Sequence, residues 1–331
     1  MAQVQYFSTT SPLEVRPYDD ADEADVLRLL AASMGWVPDE QSTAFFRWKH
    51  RDNPFGPSPA WVAVDGEAVV GYRVFLRWEF VRAGEVVRAV RAVDTATHPD
   101  YQGQGIFSRL TLHALEHLAE DGVAFVFNTP NDKSRPGYLK MGWQPVGKLP
   151  VWARPRSLLA LPRVARARVP AEKWSLPGGA GQAAPDVLAD GDAVGRLLAR
   201  SGASRGLSTH RTLDYLRWRF GFGPLAYRAA VGPGGVAEGV ALYRRRRRGS
   251  AVEAAITEVL VPDGDRRRRS ELLRSVLRGS GADYAVRIGR RGAGFVPVSR
   301  PRPLLVWRSV TAAHAPPLPE WDLTLGDIEL F

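Results

Sequence analysis

The stretch His98-Pro99-Asp100-Tyr101-Gln102-Gly103-Gln104-Gly105-Ile106-Phe107 sets two glycines where a strand-like run, 90–97, gives way to an amphipathic helix. Glycine lets the backbone approach a ligand closely at such a turn. The free N–H groups that open a helix then favour an anion such as phosphate. A plain tight turn shares the short Gly-x-Gly pattern. His98, in the same stretch, carries the one side chain that titrates near neutrality unperturbed, although its place before Pro99 suits loop structure equally. The chain has no cysteine, which excludes disulfides, thiolate metal sites and a cysteine nucleophile. No His/Asp/Glu spacing suggests a metal site.

A second segment follows about thirty residues on: Asn131-Asp132-Lys133-Ser134-Arg135-Pro136-Gly137-Tyr138-Leu139-Lys140-Met141-Gly142-Trp143. Together the two segments resemble the GNAT superfamily of acyl-CoA-dependent N-acyltransferases. That family's loop reads Gln/Arg-x-x-Gly-x-Gly/Ala. A strand, an Asn and, seven residues later, a Tyr leading into Lys-apolar-Gly-aromatic come next. Gln102 and Gly105 match the loop, Asn131 and Tyr138 stand at the family spacing, and 140–143 completes the second motif. Phe107 departs from the pattern, taking a position where Gly or Ala is usual. It narrows the room beside the pyrophosphate but keeps its backbone N–H.

The resemblance implies a donor, acetyl-CoA or another acyl-CoA, and no metal. Backbone N–H groups of Gln102, Gly103, Gln104, Gly105, Ile106 and Phe107 would hold the pyrophosphate. Backbone groups of Thr95 and Thr97 would pair with the pantetheine arm. Tyr138 corresponds to the family tyrosine that protonates the departing thiolate, a plausible role for a phenol of unperturbed pKa about 10; a tyrosine packed on a helix face is the alternative. Asn131 either fixes the strand–helix junction and the cofactor edge or simply caps the helix. Asp94 lies where many members carry an acidic residue and could take the amine's proton through a water, or be a structural Asp bonded to nearby backbone. In one tandem-domain branch the terminal carboxylate reaches the active site, so Phe331 is a further candidate. His113 and His117 fall on a helix's polar face and are expected to be solvated.

Elements able to position these residues are legible. Residues 22–34 place Val26, Leu29 and Leu30 on one helix face, and 106–120 do the same with Phe107, Leu110, Ala114 and Leu118. The run 123–127 is apolar throughout, as a buried strand requires. A faint repeat also runs through the chain. Phe45-Phe46-Arg47-Trp48-Lys49-His50 recurs as Tyr215-Leu216-Arg217-Trp218-Arg219-Phe220, and 97–100 aligns with 260–263. Gly142-Trp143-Gln144-Pro145-Val146 is echoed by Gly294-Phe295-Val296-Pro297-Val298, with Trp152 and Trp307 trailing.

The expected fold is therefore α/β (α+β): two GNAT-like domains, each a mixed central sheet flanked by helices. The expected boundaries are 1–153 (catalytic), 154–186 (linker, with 157–162 as a short packed helix), 187–312 (degenerate copy) and 313–331 (tail). Asp265 and Arg266–Arg269 replace the glycine loop in the second copy, and Arg290 falls opposite Tyr138. The tail, with Trp321 and Phe331 as apolar anchors, reads either as a frayed terminus or as a segment that docks on the first domain. Docked, it would bring Asp322, Asp327 or the terminal carboxylate toward the acceptor amine.

Composition frames this reading. The 331 residues are 45% hydrophobic and 24% charged, with a formal net charge of +10. No run has the length of a membrane span, and no secretory signal opens the chain, so cytoplasm is the default. The arginine runs 244–248 and 266–269 read either as a solvated face or as attraction to an acidic partner, including an acidic acyl carrier protein as donor. Aromatic residues do not interleave with them, which ranks nucleic acid low. The leading function is acyl transfer to a primary amine of a small molecule, such as an amino sugar, an aminoglycoside-like compound or a peptide amine. The rivals are a carrier-protein-dependent acyltransferase and a non-catalytic acyl-CoA-binding protein.

Overall fold

The long alternating runs on either side of Ala83-Gly84 pair as a hairpin, Ala68–Arg82 against Glu85–Thr97. Ala83 at φ +52° and Gly84 at φ +90° form its two-residue turn, the left-handed kind that matches strand twist. A computed structural model describes residues 13–167, 169–179, 181–202, 206–289, 291–298, 302–312 and 314–329. In it the hairpin centres a sheet ordered Glu14–Pro17, Ala60–Asp65, Ala68–Arg82, Glu85–Thr97, Phe125–Asn128, Leu304–Ser309, Gln144–Lys148; Ser208–Thr209 pairs with Ala68–Arg82 off this path. Its one parallel pair on that path, Glu85–Thr97 with Phe125–Asn128, needs a crossover, and helix Ile106–Glu120 supplies it. Leu110, Ala114 and Leu118 repeat every four residues and are fully buried beneath it, each leucine contributing about 1.5–3 kcal/mol of transfer free energy.

The second sheet is ordered Val296–Pro297, Val151–Pro155, Tyr284–Ile288, Ala251–Leu260, Gly235–Arg248, Arg228–Gly232, Gln182–Ala183. Again a long antiparallel hairpin leads to one parallel pair, Ala251–Leu260 with Tyr284–Ile288, joined by helix Arg266–Gly279. The fold class expected from sequence, mixed sheets flanked by helices, is the one observed.

The boundaries at 153 and 312 do not separate the two sheets. Val151–Pro155 pairs with Tyr284–Ile288 in the second sheet, and Leu304–Ser309 enters the first sheet between Phe125–Asn128 and Gln144–Lys148. In each half the strand after the crossover would otherwise expose an unpaired edge, and the other half covers it. Trp152 and Trp307, the residues trailing each repeat, lie in these exchanged strands. The segment 154–186 is also more than a connector, since it contains helix Leu161–Arg166 and strand Gln182–Ala183. Within 157–162 the chain is helical from Leu158, with Ala160 buried but Leu158 and Leu159 82% and 89% exposed.

The repeated tryptophans meet between the halves. Trp48 Nε1 donates to Trp218 O at 2.8 Å and Trp218 Nε1 donates to Trp48 O at 2.7 Å, with the rings stacked 5.3 Å apart. Their helices, Glu40–His50 and Leu213–Gly221, start on the side chains of Asp39 and Thr212. Of the two readings of the tail, docking is the one observed, with Trp321 packed edge-on against Phe80 and Phe125. Among the described residues no helix is long and apolar enough to cross a membrane.

Candidate functional site

The parallel pairing between Glu85–Thr97 and Phe125–Asn128 runs only from Ala89/Phe125 to Arg91/Phe127. A bulge accounts for the break. Register shifts between Tyr72 and Val74, so that Asp94 and Thr95 together face Arg73, and Asp94 sits at φ +38°. Such a bulge bends its strand. Beyond it the strands separate, and residues 92–97 and 128–131 line a cavity of about 920 Å³.

The glycine loop closes one side of this cavity. Gly103 and Gly105 adopt φ of +79° and +77°, and Gly105 is the N-cap of helix Ile106–Glu120 with no side chain capping the helix. The first helical N–H groups are therefore open to a ligand. Gln102, Gly103, Gly105, Ile106 and Phe107 line the cavity, as do Thr95 and Thr97; Gln104 is exposed and is not part of the lining. Phe107 packs on Gly137, where a Cβ would come within 2.8 Å of its ring, and stands edge-on to Tyr138 at 5.2 Å. The bulky departure from the family pattern is thus accommodated by a glycine of the second motif.

The aligned turn in the second half has no such opening. Asp265 caps helix Arg266–Gly279, its carboxylate accepting from Arg267 N at 2.8 Å and Arg268 N at 3.0 Å. Where Asp94 aligns with Thr257, the tail fills the space, since a Cβ on Gly326 would lie 2.9 Å from Thr257 O. Arg290 lies outside the described residues.

Tyr138 is buried on the cavity wall, and its oxygen accepts from Arg73 Nη1 at 2.9 Å. Arg73, fully buried, also donates to Thr95 Oγ1. Because the phenol oxygen accepts from a guanidinium that has no lone pair to offer, the phenol's own proton is available to another group. Asn131 lines the cavity but its Oδ1 accepts from Lys133 N and Ser134 N at 3.0 and 2.9 Å, so it caps the turn into helix Arg135–Lys140.

Asp94 is held differently from the base expected at its position. Lys49 Nζ donates to it at 2.6 Å, and His50 Nε2 lies at 3.0 Å from the same oxygen. Burial opposes its ionisation, but Lys49 and His50 outweigh burial and keep the carboxyl well below the usual range. Burial in turn pushes both Lys49 and His50 downward against the pull of Asp94. A carboxylate so stabilised is a poor proton acceptor and a good fixed negative charge. Replacing Lys49 by Met strands that charge and should cost about 3–5 kcal/mol of stability at pH 7. The depressed pKa makes the Asp94 contribution complete above its unfolded value near 4 and progressively lost below it. The gap between wild type and K49M in urea unfolding should therefore shrink from pH 7 to pH 3; equal stabilities at pH 7 would exclude the ion pair as a support.

His98 forms loop structure, its ring accepting from Asp100 N at 3.4 Å. The tail touches the site through its backbone rather than a carboxylate: Arg91, which lines the cavity, donates to Asp327 O, while the Asp327 side chain is fully buried on Thr209 and Thr324. Asp322 and Asp327 are absent from the lining, and Phe331 lies outside the described residues. In the run 244–248 alternate members turn into the fold while Arg247 stays exposed. Arg244 pairs with Glu329, Arg246 with Glu253 and Glu329, and Arg248 with Glu253. Lys49, His50, Arg73 and the ring-lined side formed by Trp36, Phe45 and Lys173 were not singled out from sequence. The one hint was the repeat itself, where Lys49-His50 stands opposite Arg219-Phe220.

Residues 14–146, which supply all of the cavity lining except Lys173, match the family described as acetyltransferase (GNAT) domain. Among curated proteins, the mycothiol acetyltransferase of Nocardia farcinica (strain IFM 10152) is 29% identical over 138 residues, or 38% of this chain; the match spans 43% of that relative's length. A conserved protein of Enterococcus faecalis V583 superposes with a TM-score of 0.65 at 15% identity, covering 91% of this chain and 73% of that one. A GCN5-related N-acetyltransferase from Kribbella flavida gives 0.61 at 14%, covering 90% and 72%. The fold is thus shared across both halves.

Proposed function

We propose that this chain is an acyl-CoA-dependent N-acyltransferase that moves an acetyl or longer acyl group to a primary amine of a small molecule by direct attack on the thioester. The observation that carries it is the opened sheet with an uncapped helix start at its mouth and Tyr138 on its wall. In this reading the amides from Gly103 onward hold the pyrophosphate, and backbone groups of Thr95 and Thr97 align the pantetheine arm. Tyr138, fixed by Arg73, gives its proton to the leaving thiolate. Asp94, paired with Lys49 and His50, fixes the bulge beside Thr95, and the amine's proton leaves to water. A relative named for acetylation of mycothiol supports a discrete compound as acceptor. A carrier protein as donor has less support, since Arg244, Arg246 and Arg248 are paired within the fold. The test is thiol release that requires both acyl-CoA and an amine from a small-molecule library. Binding of acyl-CoA without release for any amine would leave only a binding protein.

The second half is, in the same proposal, a copy that has lost donor binding: Asp265 occupies its helix start and the tail occupies its strand opening. Calorimetry should then find one CoA per chain, and two equivalent sites would refute it.

A further inference from the structure

The geometry points to Lys173 as a self-acylation site, to which the protein transfers the acyl group of acyl-CoA when no external amine is present. This rests on the acyltransferase reading above. Lys173 is anchored at its backbone, its carbonyl accepting from Arg244 Nη1 at 2.7 Å, with Glu172 N and Leu176 N each donating to strand Gly235–Arg248 at 2.8 Å. Its side chain lines the same cavity as Asp94, Thr95, Tyr138 and the glycine loop. The ammonium lies 4.0 Å from the ring of Trp36, 4.1 Å from Phe45 and 4.7 Å from Trp174. Among the described residues no carboxylate comes within ion-pair distance of it.

Ring faces attract a cation but offer no strong hydrogen-bond acceptor, so the nitrogen keeps an uncommitted lone pair once it loses a proton. Burial pushes this lysine down to about 8, with Asp94 and Asp39 opposing and Lys49 reinforcing the shift. On the order of a tenth of it is then the neutral amine at pH 7, against less than about a thousandth for an ordinary lysine. Tethering adds to this, because a nucleophile attached to the cavity wall needs no encounter.

Composition sharpens the choice. Only five of the 45 basic residues are lysines: Lys49, Lys133, Lys140, Lys148 and Lys173. Arginine stays protonated and is inert to a thioester. Lys49 is buried in its ion pair with Asp94, and Lys133, Lys140 and Lys148 are exposed. Lys173 alone combines partial burial with a place in the cavity.

The step balances without a co-reactant. Neutral Nζ attacks the thioester carbonyl carbon, the N–C bond forms, the C–S bond breaks and its electron pair stays on sulfur. The sulfur takes a proton from Tyr138, the nitrogen gives one to water, and Tyr138 is reprotonated from solvent. The products are an amide at Lys173 and free CoA thiol.

Incubating the full chain with acetyl-CoA alone, then measuring intact mass and mapping peptides, tests this. One acetyl per chain is expected on Lys173, forming faster from pH 6 to pH 8, at least tenfold slower in Tyr138→Phe and absent in Lys173→Arg. No adduct, acetylation of Lys133, Lys140 and Lys148 at the same rate, or indifference to Tyr138→Phe would overturn it. Thiol release with an external amine but no adduct would sink this inference alone, whereas failure to bind CoA would sink the acyltransferase reading with it.

Discussion

Replacing Gly105 by Trp is expected to abolish saturable CoA binding. Gly105 holds φ +77°, where a side-chain-bearing residue costs about 1–2 kcal/mol, and no atom lies within 4 Å of where its Cβ would be. The indole can therefore enter open space without displacing the core, and that space is the one a pyrophosphate needs. A hydrogen bond from a backbone N–H to a charged group is worth about 1.5–3 kcal/mol. Losing two of them weakens binding by roughly two to four orders of magnitude. Titration calorimetry with CoA, alongside a melting curve showing a modest loss of stability, separates a filled site from a collapsed fold. Undiminished affinity would remove the glycine loop from the donor site.

Tyr138→Phe should lower turnover by roughly ten- to a thousandfold while leaving CoA affinity nearly unchanged. The two effects separate because the ring's packing against Phe107 and Trp143 is kept while only the hydroxyl goes. Arg73 then loses a partner, and its Nε and Nη2 already lack one among the described residues. A drop in stability of about 1–3 kcal/mol should accompany the loss. A variant with normal turnover would leave solvent as the proton source, even if its stability fell as expected.

The parts of this site that could be read from sequence are those whose chemistry is local. The glycines, the helix they open and Tyr138 are fixed by spacing within short segments, and they meet in the cavity. Asp94 was found for its position in a strand, but its partners were not, because Lys49 and His50 are brought to it by a helix that packs across the sheet. The bulge that turns it inward leaves no sign in residue type. Arg244 to Arg248 read as one basic patch until the strand's period of two assigns alternate members to Glu253, across the same hairpin, and to Glu329, far along the chain. Trp321 made a docked tail one of two readings because a large aromatic gains by burial. Which of its neighbours would touch the cavity depended on backbone geometry that no residue pattern encodes.

The exchange of strands has a consequence for the order in which the molecule can be made. The glycine loop, Asp94 and Tyr138 leave the ribosome well before Leu304–Ser309, yet Phe125–Asn128, on whose edge the cavity opens, is paired on its far side by that late strand. Until it arrives, the early sheet lacks an interior member, and Gln144–Lys148 has nothing in that sheet to lie against. Nascent or prematurely terminated chains thus carry every motif of the site without the wall that shapes it. The wall of the cavity is therefore completed only once residues 304–309 have been made.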